Sequence, residues 1–414
     1  MTFTERAGTS LARLLAAITL MAAGGVAGAA TSTVADALTA GEAHVALRYR
    51  FERVDQDNFA ERANASTLRL RLNYTTGAWR ELRMLAEFDY VGEVLANDFN
   101  SGAGTSPGRI QYPVVADPKG ADLNQLYADY SGLSGWRWRL GRQRILIDDH
   151  RFVGNVGWRQ NEQTYDALSV TTSRLPRTEL FYGFVTNVNR VFGDTVPDGD
   201  HSMDTHLLHA RINLSKRLSV TPYGFFIDNH DDPTASTSTI GVRLGLSHSL
   251  AGGTLSYLAD AARQVDAANA PVDFEADYLR FDLSWTGPSG LSLSVSAESL
   301  GGDDTISGGA FRTPFATLHA FQGWADQFLV TPDAGVNDLQ AKLGYARGQW
   351  QWQAAFHDFS AETGGADYGT ELDFSVSRNF GERYAVMLKT AIFNADEPPF
   401  VDTNKYWLML TADY

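Results

Sequence analysis

Apolar and polar residues alternate with a period of two along almost the whole chain, and the 3.6-residue period of amphipathic helices is nearly absent. Val45, Leu47, Tyr49 and Phe51 alternate with Ala46, Arg48, Arg50 and Glu52. The same happens for Leu68, Leu70, Leu72 and Tyr74 against Arg69, Arg71 and Asn73, and for Met84, Ala86, Phe88 and Tyr90 against Arg83, Glu87 and Asp89. The pattern returns in Ile240–Leu246, Leu279–Trp285, Leu291–Ala297, Leu339–Tyr345, Trp350–Phe356, Tyr384–Leu388 and Tyr406–Tyr414. Successive residues of a strand face opposite sides of its sheet, so each segment predicts a strand with one apolar and one polar face.

The connectors alternate too. Short turns fall at Thr76-Gly77-Ala78, Ser131 to Gly135, Ser173 to Arg177, Ser215 to Arg217, Ala251-Gly252-Gly253, Gly287 to Gly290, Ala346-Arg347-Gly348 and Asn379 to Glu382. Between them lie longer polar stretches near 54–64, 94–120, 149–163, 190–203, 229–236, 265–276, 301–336, 360–368 and 394–403. The count is roughly eighteen strands with about nine long and about eight short connectors, the signature of an all-β, antiparallel transmembrane barrel with short periplasmic turns and long outer loops. A soluble sandwich also alternates, but nothing ties its connectors to a long-short rule. Aromatics near strand ends (Tyr74, Tyr90, Trp136, Trp285, Trp350, Tyr406) fit interfacial girdles, and Tyr414 closes the chain on the apolar phase.

Residues 1–30 read as a secretory signal peptide: Arg6 and Arg13, an apolar run from Leu14, then small residues at Ala27-Gly28-Ala29. Residues 31–42 form a short polar periplasmic lead-in and 43–414 a single barrel, which places the expected mature protein in a bacterial outer membrane, among its lipids. The insertion 301–336 is rich in Gly and carries Phe311, Phe315, Phe321, Trp324 and Phe328; it either folds into the barrel mouth or lies outside as a lid.

Composition narrows the function. The 414 residues contain no Cys, so no disulfide staples the fold, and past the leader no run reaches the roughly 20 apolar residues of a membrane helix. A formal net charge of -15 argues against nucleic acid as a partner. Against that acidic balance, the polar phase carries Arg48, Arg50, Arg69, Arg71, Arg137, Arg139, Arg211, Arg243, Arg280 and Lys342. An Arg facing lipid at the bilayer midplane costs roughly 2–4 kcal/mol, so these residues point into the lumen. Guanidinium groups there would favour carboxylates and phosphates through forked hydrogen bonds. The alternative is that they brace the wall by pairing with Glu52, Glu87, Asp89, Asp129 and Asp282.

Enzyme chemistry finds little support, and no catalytic residue, metal or cofactor is expected. His206 and His209 lie on opposite faces of one strand and cannot share a ligand sphere, and the acidic stretches Asp228 to Asp232 and Asp303-Asp304 read as solvated loop charge before they read as Ca²⁺ ligands.

The segment Trp138-Arg139-Leu140-Gly141-Arg142-Gln143-Arg144-Ile145 breaks the alternation, because Arg142 and Arg144 fall on the phase of Trp136, Trp138 and Leu140; a bulge or a strand leaving the membrane would resolve this. Here the chain resembles the alginate export family of outer-membrane porins. The likeness rests on the Leu-Gly-Arg-Gln-Arg run, with Tyr130-Ser131-Gly132-Leu133 before it and Asp148-Asp149 after it, and on a weaker echo at Glu371 to Val376. The resemblance implies an eighteen-stranded barrel that passes an anionic polysaccharide through a basic constriction, with Arg139, Arg142 and Arg144 as the residues carried over. The acidic balance and the aromatic insertion depart from it. The expectation is therefore a channel for export or diffusion of anionic solutes, most of all an alginate-like polysaccharide, served by periplasmic export components. A general or small-organic-anion porin is the alternative, ahead of an outer-membrane hydrolase or a structural adhesin.

Overall fold

In the computed structural model, residues 32–414 are described; the expected leader lies outside the described residues. Eighteen antiparallel strands, from β1 (Glu42–Gln56) to β18 (Thr403–Asp413), form one sheet that closes where β1 pairs with both β2 (Ala63–Thr75) and β18. The connectors at one end are 76–81, 131–135, 173–177, 214–217, 251–252, 287–290, 348–349 and 381–383. Those at the other are 57–62, 99–119, 144–163, 190–199, 228–236, 267–274, 301–335, 361–366 and 396–402. The alternation of connector length thus maps onto the two rims.

The two faces are inverted relative to a soluble protein. Leu279, Ile240, Leu339 and Phe88 are exposed on the outside, whereas Arg48, Arg50, Glu52 and Asp89 are buried inside. A belt of exposed aliphatic and aromatic side chains is the surface that hydrocarbon requires, and closing the sheet pairs its backbone groups without a free edge.

Two details depart from the plain alternation. The lead-in is ordered as a short helix, α1 (Val34–Thr39), capped by Thr33 Oγ1 accepting from Asp36 N; Gly77 N and Tyr74 Oη donate to its C-terminal carbonyls, which hold it against the turn between β2 and β3 (Leu82–Asp98). The barrel therefore starts at Glu42. Strand β5 (Trp136–Gln143) is short, and it joins β4 (Gly120–Tyr130) only over Leu126–Tyr130. At Gly141, with φ +119°, a Cβ would stand 2.3 Å from Leu126 O, so this position of the Leu-Gly-Arg-Gln-Arg run needs glycine for backbone approach.

Beyond Gln143 the chain turns into the lumen. Connectors 144–163 and 301–335 both fold inward and join: Val153 forms a parallel bridge with Phe315, Gly154 N donates to Phe315 O at 2.8 Å, and Thr317 N to His150 O at 3.0 Å. Around them lies the principal apolar core, in which Phe152, Phe311, Phe315 and Phe328 from the connectors meet Tyr165, Tyr223, Phe225 and Tyr278 from the wall. Of the two expectations for 301–336, the fold takes the inward one.

Candidate functional site

The basic phase of β1 and β2 comes together as a ladder. Arg48 and Arg69 are direct cross-strand partners, with Arg50 and Arg71 one step to either side on the same inward face. Alternation explains why they share a face, and closure explains why they are buried. Like charges in adjacent rows repel, so the ladder needs acceptors, and connector 144–163 supplies them. Arg48 donates to Gln160 Oε1 and Gly157 O, both at 2.9 Å, and to Arg159 O. Arg50 donates to Trp158 O and to Glu52 at 2.6 Å, and Arg69 donates to Gln160 O at 3.3 Å. Much of the ladder is spent on backbone carbonyls.

Arg71 closes the lower end with a bidentate pair to Asp89, at 2.7 and 2.5 Å, and a bond to Glu162 at 2.5 Å. Arg144, the first residue past β5, bonds the same Glu162 and also Glu87. Burial works to raise the Glu162 carboxyl, but Arg71 and Arg144 outweigh it and hold its pKa lowered to about 2. This cluster separates two spaces. On one side, a cavity of about 570 Å³ is lined by Arg137, Arg139, Arg144 and Arg211, by the carboxylates of Asp148 and Glu179, and by Tyr127 and Phe181. On the other, a narrow cleft of about 20 Å³ is lined by Asp122, Arg142, Glu162, Arg190 and Asp194. Arg144 faces the first and Glu162 the second, so their ion pair stands between them. Arg211 also lines a further cavity of about 360 Å³ with Lys216 and Arg217 toward the short-turn rim.

Each residue singled out in the sequence has a definite place. Arg137 and Arg139 share Asp129, and Arg139 stacks 4.0 Å over the Tyr127 ring. Arg243 pairs with Asp260, at 2.8 Å, and with Asp149; Arg280 pairs with Asp282, at 2.6 Å, and with the same Asp149. Burial pushes the Asp149 carboxyl up, and these two guanidiniums outweigh it and lower it. Arg211 and Lys342 face no ion-pair partner among the described residues, and Arg211 is exposed. Arg142 does not join the inward face. It stays in register with Leu126 on the outward phase and pairs with Asp166 at 2.8 Å, because the strand keeps its alternation through Gly141 and leaves the wall only afterwards. The bracing pairs with Glu52, Glu87, Asp89, Asp129 and Asp282 are all present.

Several key groups escaped sequence reasoning. Gln160, Glu162, Arg151 and Arg159 sit in a polar connector without periodicity. Arg151 is fully buried and bonds Glu298 at 2.6 Å, Thr313 and Gln322, linking connector 144–163 to the wall and to connector 301–335. Arg159 joins Glu52 to Asp326. The one available cue was the broken alternation at Arg142 and Arg144, which marks where the chain leaves the wall. A second lock lies beside the ladder, two strands from β1 on β17 (Tyr384–Ala395): Lys389 Nζ is 4.1 Å from the Trp158 ring centroid and 3.6 Å from that of Trp324, and donates to His319 Nε2 at 2.7 Å. His319 Nδ1 lies 2.7 Å from Asp326. Burial first, and then Lys389 against the pull of Asp326, lowers His319 to about 3 and keeps the imidazole neutral.

Comparison with known proteins bears on this geometry. Residues 42–185 match the alginate export family, a segment that holds the ladder, the Leu-Gly-Arg-Gln-Arg run and connector 144–163. No curated protein sequence matches the chain. Among solved structures it is similar to OccAB2 of Acinetobacter baumannii, at 12% identity and TM-score 0.73 over 92% of this chain and 99% of that one. It is also similar to the outer membrane protein OpdK of Pseudomonas aeruginosa, at 14% identity and TM-score 0.70 over 91% and 99%. OccK3 of the same organism gives 11% and 0.68 over 92% and 97%. The likeness shows the fold: a closed, antiparallel, eighteen-stranded barrel of the outer-membrane channel kind.

Proposed function

We propose that this chain is an outer-membrane channel through which small organic anions, carboxylates above all, diffuse down their gradient. The observation that carries the reading is the cavity that Arg211, which forms no ion pair among the described residues, lines together with Arg137, Arg139 and Arg144, with the rings of Tyr127 and Phe181, and with only two carboxylates, Asp148 and Glu179. Guanidinium groups offer a carboxylate forked hydrogen bonds, and the rings offer an apolar body a surface. Beside it, Arg71 and Arg144 converge on Glu162, and side chains crowded in this way suit a single small solute better than a polymer chain. OpdK, of similar fold, has been crystallised with vanillate, a small aromatic carboxylate. An alginate-like polysaccharide remains a second reading because the alginate export family matches the segment that builds the constriction.

Selectivity is set where low-dielectric walls focus the field, so the basic cavity outweighs the distant acidic loops despite the net charge of -15. The purified protein in a planar bilayer should therefore prefer chloride to potassium. Arg211→Gln together with Arg139→Gln should shift the reversal potential toward cations. In proteoliposomes a small aromatic carboxylate should enter faster than a uronate oligomer. A cation-selective wild-type channel would overturn the anion reading, whereas faster passage of the uronate oligomer would favour the polysaccharide.

A further inference from the structure

The outward phase of β8 (Asp200–Asn213) carries an arrangement that the channel does not use. Past β9 (Leu218–Ile227), the start of connector 228–236 continues that strand's antiparallel pairing with β8: Asp204 N donates to Asp228 O at 2.9 Å, His230 N to Ser202 O at 3.0 Å, and Met203 bridges Asn229. This brings Asp204, Asp228 and His230 to one point on the outer face of the long-connector rim, with one ligand atom of each within 4.8 Å of the others. His230 Nε2 stands 3.5 Å from Asp204 Oδ2 and 3.8 Å from Asp228 Oδ2.

Those separations are long for hydrogen bonds. With ligand bonds of about 2.0–2.2 Å, a tetrahedral site has edges of roughly 3.3–3.6 Å; the first separation falls within that range and the second about 0.2 Å beyond it, a closure that a small side-chain rotation supplies. The neighbouring acids are committed elsewhere. Asp231 accepts from Ser202 N at 2.7 Å, and Asp232 accepts from Thr234 N and Oγ1. The carboxylates of Asp204 and Asp228, by contrast, face His230 alone. The imidazole is oriented for the purpose: Nδ1 lies 3.2 Å from Ser202 Oγ, and a proton donated there leaves the Nε2 lone pair toward the two carboxylates.

We propose that Asp204, Asp228 and His230 bind a divalent transition-metal ion, of which Zn²⁺ is the natural probe, and that the ion pins connector 228–236 to β8. One imidazole with two carboxylates is a donor set that Zn²⁺ accepts in preference to Mg²⁺, and the two negative charges neutralise the dication.

The full-length barrel in detergent, stripped with a chelator, should take up about one Zn²⁺ per chain in a calorimetric titration, and Co²⁺ should give a visible d–d absorption band. His230→Ala and Asp204→Asn should abolish binding while leaving the strand circular dichroism unchanged. Asp228→Asn, in the connector, serves where a change on β8 disturbs the barrel. Ser202→Ala removes no ligand atom but should weaken affinity about tenfold or more, through the orientation of His230. Asp303→Asn, in another acidic loop, should change nothing. Zn²⁺ uptake by wild type no greater than by His230→Ala, or an equal loss in Asp303→Asn, would overturn the proposal.

Discussion

The two inward connectors solve the same problem by opposite means. Connector 301–335 is held by shape and apolar area: Phe311 packs against Tyr278 and Phe152, and Phe328 against Phe359, Phe393 and Phe400. Connector 144–163 is held on the β1–β2 wall by charged donors on its main chain, where Arg48, Arg50 and Arg69 grip the carbonyls of Gly157, Trp158, Arg159 and Gln160. Aromatic packing fills the space between that connector and the wall. The ionic side leaves polar groups around the 570 Å³ cavity. On the function proposed above, the passage for anions runs beside the ionic connector.

The comparison is tested hardest by removing one anchor from each side. Phe311→Ala leaves a cavity among fully buried rings and should destabilise the barrel by about 3–5 kcal/mol, read from thermal unfolding, with noisier single-channel current as connector 301–335 loosens. Arg48→Met should cost less, about 1–3 kcal/mol, because it leaves buried carbonyls unpaired while the neighbouring arginines keep their grip. It should raise conductance without the noise. If both variants changed current noise alike, the division between the two sides would be wrong.

Acidification should separate the sides next. His319, in the aromatic side's lock, has a pKa lowered to about 3 from an ordinary 6.5, and Glu162, on the ionic side, to about 2 from 4.5. In both cases the unfolded or released state takes up protons before the folded one, so the stabilisation is complete above the ordinary value and is lost as pH falls through the folded value. Protease sensitivity of 301–335 should therefore rise from about pH 6.5 downward. Connector 144–163 should follow that phase only at its Trp158 end, which stacks on His319, and should gain a phase of its own around Glu162 below about pH 4.5. His319→Gln should remove the first phase and leave the second. The smallest effect is expected at Arg137→Gln: its side chain is largely exposed and Asp129 keeps Arg139, so anion preference should fall only slightly in the reversal-potential measurement.

Much of the barrel was legible because a strand's period of two is imposed by backbone geometry and by the two solvents on either side of the wall. Val45 to Phe51 had to face lipid once Arg48 and Arg50 faced inward, and turn chemistry at Gly287 to Gly290 marked the short rim. The ladder Arg48, Arg50, Arg69 and Arg71 followed from the same rule, and Gly141 with Arg142 and Arg144 marked the place where the chain leaves the wall. What these arginines do there was decided by tertiary structure. For Arg48, Arg50 and Arg69 the distant acceptors are main-chain carbonyls of Gly157 to Gln160, 91 or more positions away, and a carbonyl has no residue type to read. The aromatic content of 301–336 likewise announced an apolar partner without saying where it was, since the same rings would serve an outer lid. Closure of the sheet settled this by placing Tyr223, Tyr278 and Phe359, inward-facing residues of three distant strands, around one space that those rings fill.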